Sequence, residues 1–179
     1  MIASLNGRTI ALESNSAIID VAGVGYLVQI TPATSRSLAI DHSAFLFTAM
    51  IVREDGFTLF GFTTVAEQKI FDLLRSVSGV GPKSALAILA ELSVDQIVDA
   101  VAQEKDAAFK AVSGIGPKTA KLITVTLAGK LSHLVLVGQS EAVSVETDFA
   151  SVVEALVSLG WPERSAQEAV KQVSTSVKK

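Results

Sequence analysis

Two lysines are set in nearly identical surroundings. Lys83 lies in Val-Ser-Gly-Val-Gly-Pro-Lys-Ser-Ala, residues 77–85, and Lys118 in Val-Ser-Gly-Ile-Gly-Pro-Lys-Thr-Ala, residues 112–120. The copies stand 35 residues apart (112 − 77) and differ only by Val to Ile and Ser to Thr. An internal repeat marks the structural unit of the chain. Here it is an apolar helix, a Gly-x-Gly turn, a proline, then a lysine opening a second helix. The glycines Gly79, Gly81, Gly114 and Gly116 permit positive φ and leave bare backbone that another molecule can approach. Pro82 and Pro117 suit the first helical position, where no N–H is missed. Such a turn points free N–H groups outward at a helix N-terminus, with the positive end of the helix dipole behind them. Lys83 and Lys118 add a full charge each. The chemistry on offer is anion binding, and two sites in tandem suit two phosphates on a polymer.

The spacing excludes two other phosphate motifs. A P-loop needs Gly-x-x-x-x-Gly-Lys-Ser/Thr, and Pro82 separates Gly81 from Lys83. A dinucleotide fingerprint needs a third glycine where Ser84 and Thr119 stand, and a strand before it. The plain structural reading is a helical hairpin with a glycine turn that binds nothing. Packing alone, however, does not demand the same lysine twice. The duplicated pattern resembles the helix-hairpin-helix motif, a sequence-independent binder of the DNA backbone.

The elements that must position these turns follow from periodicity. Residues 63–131 are predicted to be helical. Thr64 with Glu67 forms a capping box, and Ile70, Phe71, Leu73, Leu74 and Val77 make an apolar stripe. Residues 85–92 continue the helix after the first turn, and Ser93 caps the next with Asp95 and Gln96 in its first turn. Residues 106–112 lead into the second hairpin, followed by a helix over 118–131. Leu86, Ile88, Leu89, Leu122 and Ile123 are read as the core wall behind the turns.

Residues 1–62 are predicted to be strands of a small closed barrel of the OB type. The first strand, 1–5, is expected to stop at an Asn6-Gly7 hairpin turn, with a second over 8–13. Further strands are expected at 17–21, 26–31, 44–53 and 57–62, with breaks at Ser14-Asn15-Ser16 and Gly23-Val24-Gly25, and a short helix at 34–40. Gly25 and Gly61 suit bends. Glu54-Asp55-Gly56 reads as a hairpin turn, which by itself explains both acids. Residues 132–147 read as a linker. Within 148–179, Phe149, Val152, Val153, Leu156, Val157 and Leu159 mark one helix, ended by Gly160-Trp161-Pro162, and 163–174 a second. Two helices of this size do not bury an apolar face alone. Trp161, the single Trp, is therefore either core or an interface anchor. The expected architecture is multidomain α+β: a barrel at 1–62, an all-α centre at 63–131, a linker at 132–147 and a small helical domain at 148–179.

Composition narrows the classes. Apolar residues make up 49% of the 179, so cores can form and wholesale disorder is not expected. No apolar run reaches the roughly 18 residues of a membrane span, and the N-terminus lacks a basic segment before an apolar core, so no signal peptide is expected. The absence of Cys excludes disulfides and thiolate metal sites and suits a reducing compartment. His42 and His133 lack carboxylates at zinc-motif spacing, and no Gly-x-Ser-x-Gly elbow exists. No catalytic set, metal or cofactor is expected; His42, beside Asp41, reads as a surface turn residue. The net charge is −3, yet it divides unevenly. Residues 1–62 hold three Lys/Arg and five Asp/Glu (−2), 63–131 eight and seven (+1), and 132–179 four and six (−2). The one positive segment holds the repeats. Weak phosphate binding by one chain favours assembly of several.

The whole order resembles the RuvA family. The marks are Met1-Ile2-Ala3, Gly23-Val24-Gly25-Tyr26, Val52-Arg53-Glu54-Asp55, Leu59-Phe60-Gly61-Phe62 and both hairpins. The resemblance implies a cytoplasmic, non-catalytic subunit that binds four-way (Holliday) junctions without sequence specificity, in recombination and repair. It implies a homotetramer, or an octamer as two tetramers on DNA, with both hairpins of each subunit on the backbone of one arm. It implies DNA contacts at Gly79, Gly81, Lys83 and Ser84, and at Gly114, Gly116, Lys118 and Thr119. Glu54 and Asp55 match the family's acidic pin, which would repel phosphates at the crossover. Leu156, Leu159 and Trp161 match the positions that dock on RuvB, the hexameric ATPase, and the family admits RuvC resolvase as a further partner. The family's third helix in the last domain is expected to be absent here. The alternatives are a general helix-hairpin-helix backbone binder, a glycosylase-like repair enzyme, and a protein scaffold whose hairpins are merely structural.

Overall fold

The computed structural model describes residues 1–54, 56–128, 130–131, 156, 161–165, 167 and 169. The chain forms two units, Met1–Gly138 and Gln139–Lys179. In the first, β1 (Ser4–Leu12), β2 (Ser16–Val21), β3 (Val24–Gln29), β4 (Ser43–Arg53) and β5 (Gly56–Phe62) close a barrel in the order β1-β2-β3-β5-β4. All neighbours are antiparallel except β3 and β5. This is the expected OB-type barrel. Between β3 and β4 runs α1 (Pro32–Ser37), which begins and ends earlier than the predicted 34–40 because Thr31 caps it and Pro32 opens it.

The predicted turn at Asn6-Gly7 does not form. β1 runs straight through it, pairing with β4 from Ser4↔Phe47 to Arg8↔Ser43 and with β2 from Arg8↔Asp20 to Leu12↔Ala17. A Cβ on Gly7 would fall on the Asp20 carbonyl, so the glycine serves close strand approach rather than a turn. The next turn uses Ala22 and Gly23 at φ 52° and 87°, as a primed hairpin requires, and the Asp20 carboxylate accepts the Gly23 N–H at 2.8 Å. Gly25 then lies within β3, not at a break. Gly61 is likewise no bend: a Cβ there would lie 2.6 Å from Val28 Cγ1, inside the barrel packing. The barrel core is Leu5, Ala17, Ile19, Val28, Ile30, Ala44, Leu46 and Leu59.

Among the described residues of this unit, five helices follow: α2 (Val65–Arg75), α3 (Pro82–Glu91), α4 (Val94–Ala102), α5 (Ala107–Lys110) and α6 (Pro117–Ala128). The expected capping box of Thr64 with Glu67 forms, and the expected Ser93 cap closes as a second box with Gln96, each satisfying N–H groups that a helix start otherwise leaves orphaned. α2 fastens the helices to the barrel. Its Phe71 ring lies 5.0 Å from those of Phe60 and Phe62 on β5, and Gln68 donates to the Thr48 carbonyl at 2.7 Å. A second core, continuous from these strands into all five helices, contains Phe71, Leu74, Val80, Ile88, Ile97, Phe109, Ile115, Ile123 and Leu127. Leu122 departs from its predicted core place: it is exposed on α6, together with Val125. Among the described residues no helix is long and apolar enough to cross a membrane.

Few residues of the second unit are described. Trp161 donates its backbone N–H to the Leu156 carbonyl at 3.1 Å, a 6→1 bond of the kind that closes a helix end, and Glu163, Arg164 and Ser165 are helical. The linker at 132–147, Leu159, His133 and most of the expected C-terminal helices lie outside the described residues, as does the question of a third helix.

Candidate nucleic-acid interface

The two turns repeat atom for atom in their hydrogen bonding. In the first, Val77 N–H reaches Leu74 C=O (3.0 Å), Val80 N–H reaches Val77 C=O (3.0 Å), and Ala85 N–H reaches Gly81 C=O (2.9 Å). In the second, Val112 reaches Phe109 (3.2 Å), Ile115 reaches Val112 (3.1 Å), and Ala120 reaches Gly116 (2.9 Å). The apolar members of each copy, Val77, Val80 and Ala85 and then Val112, Ile115 and Ala120, are all buried in the helical core. Their burial fixes each turn from beneath and leaves its polar members facing solvent.

The glycines divide the labour, which the sequence did not separate. Gly79 and Gly114 sit at φ 85° and 86°, in the left-handed region that disfavours a side chain. Gly81 does not: it is extended, at φ −84° and ψ 173°, and positive φ is absent at Gly116 too. Around both of these second glycines a Cβ would meet nothing within 4 Å. They supply bare, open backbone rather than an unusual dihedral. Pro82 and Pro117 then open α3 and α6 as predicted.

Each helix start leaves backbone donors open. The N-cap Gly81 offers no side chain, and α3 carries no side-chain cap. The N–H groups of Lys83 and Ser84 precede the first intrahelical bond, that of Ala85, so they are the orphan donors of the first turn. Lys118 and Thr119 hold the same places before Ala120. Lys83 and Lys118 are exposed and, among the described residues, make no ion pair; those present are Arg8–Asp41, Arg75–Asp72 and Lys110–Asp106. A lysine without an ion pair among the described residues thus stands beside open backbone donors at each helix start, the combination of charge and hydrogen bonding that suits an anion.

The fold brings the two turns together. A Cβ on Gly79 would lie 3.7 Å from Thr119 Oγ1 and 4.0 Å from its methyl, so the start of α6 rests against the first turn. At the other end of α6, Lys130 Nζ reaches Ser76 Oγ at 3.1 Å, beside the end of α2. The sequence showed two sites; this contact makes them one surface. Lys121, not among the expected residues, is exposed one helical turn beyond Lys118. Its signal was the first position past the end of the repeat, where the first copy has Leu86.

The remaining expected residues lie elsewhere. Glu54 is exposed directly after the last paired position of the β4–β5 hairpin, Arg53↔Gly56, and makes no hydrogen bond among the described residues. Asp55 lies outside the described residues. Beside Glu54, the facing pair Val52 and Phe57 is exposed. His42 is exposed as expected, its Nδ1 2.9 Å from the Ile40 carbonyl. In the second unit, Leu156 is half-buried and Trp161 is 48% exposed. Among the described residues no group of His, Cys, Asp and Glu is arranged to hold a metal ion.

Comparison with known proteins follows the same divisions. Residues 1–61 match the family model described as RuvA N terminal domain, 71–128 the SAM-like helix-hairpin-helix tandem, and 148–179 the RuvA C-terminal domain. The chain is 51% identical over 176 residues to the Holliday junction branch migration complex subunit RuvA of Leifsonia xyli subsp. xyli, across 97% of this chain and 85% of that one. The subunit of the same name from Clavibacter michiganensis subsp. michiganensis is 46% identical over 176 residues, across 98% and 82%. That from Beutenbergia cavernae is 44% identical over 173 residues, across 97% and 86%.

Proposed function

The chain belongs to the RuvA family, and on that premise we propose that it is a non-catalytic subunit that binds four-way DNA junctions, holds them open and positions an ATP-driven RuvB motor for branch migration in recombination and repair. The observation that carries this reading is the paired turn: two helix starts that follow a glycine, each with a lysine that makes no ion pair among the described residues, held side by side where Thr119 meets Gly79. Gly79, Gly81, Lys83 and Ser84 take one backbone phosphate, and Gly114, Gly116, Lys118 and Thr119 a second. Such contacts fix position without reading bases, as a junction that migrates requires.

Four chains around four arms would give each arm one pair of turns, with the chain acting as a soluble homotetramer in the cytoplasm. Glu54 and Asp55 then stand as carboxylates against phosphates at the crossover, turning away a continuous duplex. Leu156, Leu159 and Trp161 form the contact with the motor, and RuvC resolvase is a further partner of the assembled junction. The relatives are named for branch migration, which does not favour the base-excision alternative.

The test is the double variant Lys83→Ala/Lys118→Ala. Junction binding falls and its dependence on salt becomes shallower, because phosphates neutralised by lysine release counterions on binding. Unchanged affinity and salt dependence would leave the hairpins as structural devices only.

A further inference from the structure

Resting on that phosphate-binding reading, we propose that the two hairpins grip DNA unequally and that the second is the anchor, with Lys121 joining Lys118 as a backbone contact. The main-chain geometry of the turns is the same, so the difference lies in what surrounds them. First, access differs. Gly79 faces Thr119, whereas around Gly114 a Cβ would meet nothing within 4 Å. Pro117 is exposed, whereas Pro82 is half-buried. Both turns are exposed, and the first alone has a neighbour at van der Waals distance from its positive-φ glycine.

Second, charge differs. α3 carries one Lys and one Glu, a sum of zero, while α6 carries two Lys and no Asp or Glu, a sum of +2. The excess is Lys121, at the place where α3 has Leu86. Leu86 packs against the helical core; Lys121 is exposed and, among the described residues, unpaired. Residues three apart on a helix are neighbours, and helical side chains lean toward the N-terminus. Lys121 thus leans toward the mouth of the second turn, beside Lys118. A phosphate there meets two cations; a phosphate at the first turn meets one.

The experiment measures binding of the full chain to a synthetic four-way junction over a salt series, for Lys83→Gln, Lys118→Gln, Lys121→Gln and Lys118→Gln/Lys121→Gln. Lys105→Gln, an exposed lysine outside both turns, gives the effect of net charge alone. These positions are exposed, and unchanged thermal midpoints establish that the variants fold. For each bound arm, K83Q lowers the slope of log affinity against log salt by about one, K121Q by about one, and the double variant by about two. A K121Q slope no different from that of K105Q, with K83Q or K118Q clearly shallower, overturns the unequal grip and leaves the phosphate reading intact. Slopes unchanged in K83Q and K118Q alike overturn the phosphate reading itself, and this proposal with it.

Discussion

Gly79 and Gly81 serve one turn in different ways, and alanine at each separates binding from stability. Ala at Gly79 must adopt φ 85°, which disfavours a side chain by about 1–2 kcal/mol. Ala at Gly81 sits in an extended conformation open to any residue, with space around its methyl, so the fold tolerates it. On the proposed function the methyl would nevertheless stand where a phosphate approaches. Gly81→Ala is expected to weaken junction binding at an unchanged thermal midpoint, and Gly79→Ala to lower the midpoint; equal loss of stability in both would contradict this division. A second residue-scale expectation concerns Thr9. Its hydroxyl is buried in the barrel and has no hydrogen-bond partner among the described residues. Val has the same shape without the stranded oxygen, so Thr9→Val is expected to raise unfolding free energy by about 1 kcal/mol, measured by denaturant titration. The repeat disclosed the lysines and prolines because turn chemistry is local. It did not disclose that only the first glycine of each pair needs positive φ, nor that Thr119 meets Gly79. Those depend on neighbours distant in sequence.

At the level of elements, α2 is the joint between barrel and hairpins. Phe71 is fully buried against Phe60 and Phe62, with Arg75 over its ring at 5.5 Å. Phe71→Ala opens a cavity at that joint and is expected to destabilise the first unit by about 3–5 kcal/mol, read from its denaturation midpoint. Removing the cap at the same helix, Thr64→Ala, is expected to lose only about 1 kcal/mol, since packing rather than the cap supplies most of the stability of α2. A larger effect from Thr64 than from Phe71 would contradict that ranking. The Thr64–Glu67 box and the Ser93 cap could be read from sequence because a helix start is a local pattern. Asn6-Gly7 misled for the opposite reason. As a dipeptide it signals a hairpin, yet β1 continues through it, paired to β4 over Ser4–Arg8 and to β2 from Arg8 onward, and the glycine answers to the carbonyl of Asp20 across the sheet. Gly61 repeats the lesson inside the barrel. Leu122 shows it on a helix: the stripe of α6 is wide enough to include it, but the core takes Ile123 and Leu127 and leaves Leu122 outside.

For the whole molecule, a chain of net charge −3 binds a polyanion only if its positive groups are gathered and its negative ones are placed to discriminate. The helical part gathers them, with two turns on one surface. The barrel supplies the opposing sign at the tip of β4–β5, where Glu54 stands exposed. Glu54→Lys/Asp55→Lys is expected to raise affinity for linear duplex and narrow the preference for a junction; a preference that survives the change would remove the pin from the account. The barrel class and the tandem hairpins could be read ahead of the structure because both are carried by short-range patterns, whereas the strand order, closed by β3 against β5, could not. How chains assemble is written in surfaces that no local pattern records. The most direct test of the central claim is therefore a titration of a synthetic four-way junction against linear duplex of equal length, at fixed salt with competitor DNA. Strong preference for the junction, saturating at four or eight chains, is the expected result. Equal and weak binding of the two DNAs would contradict it and leave a general backbone binder.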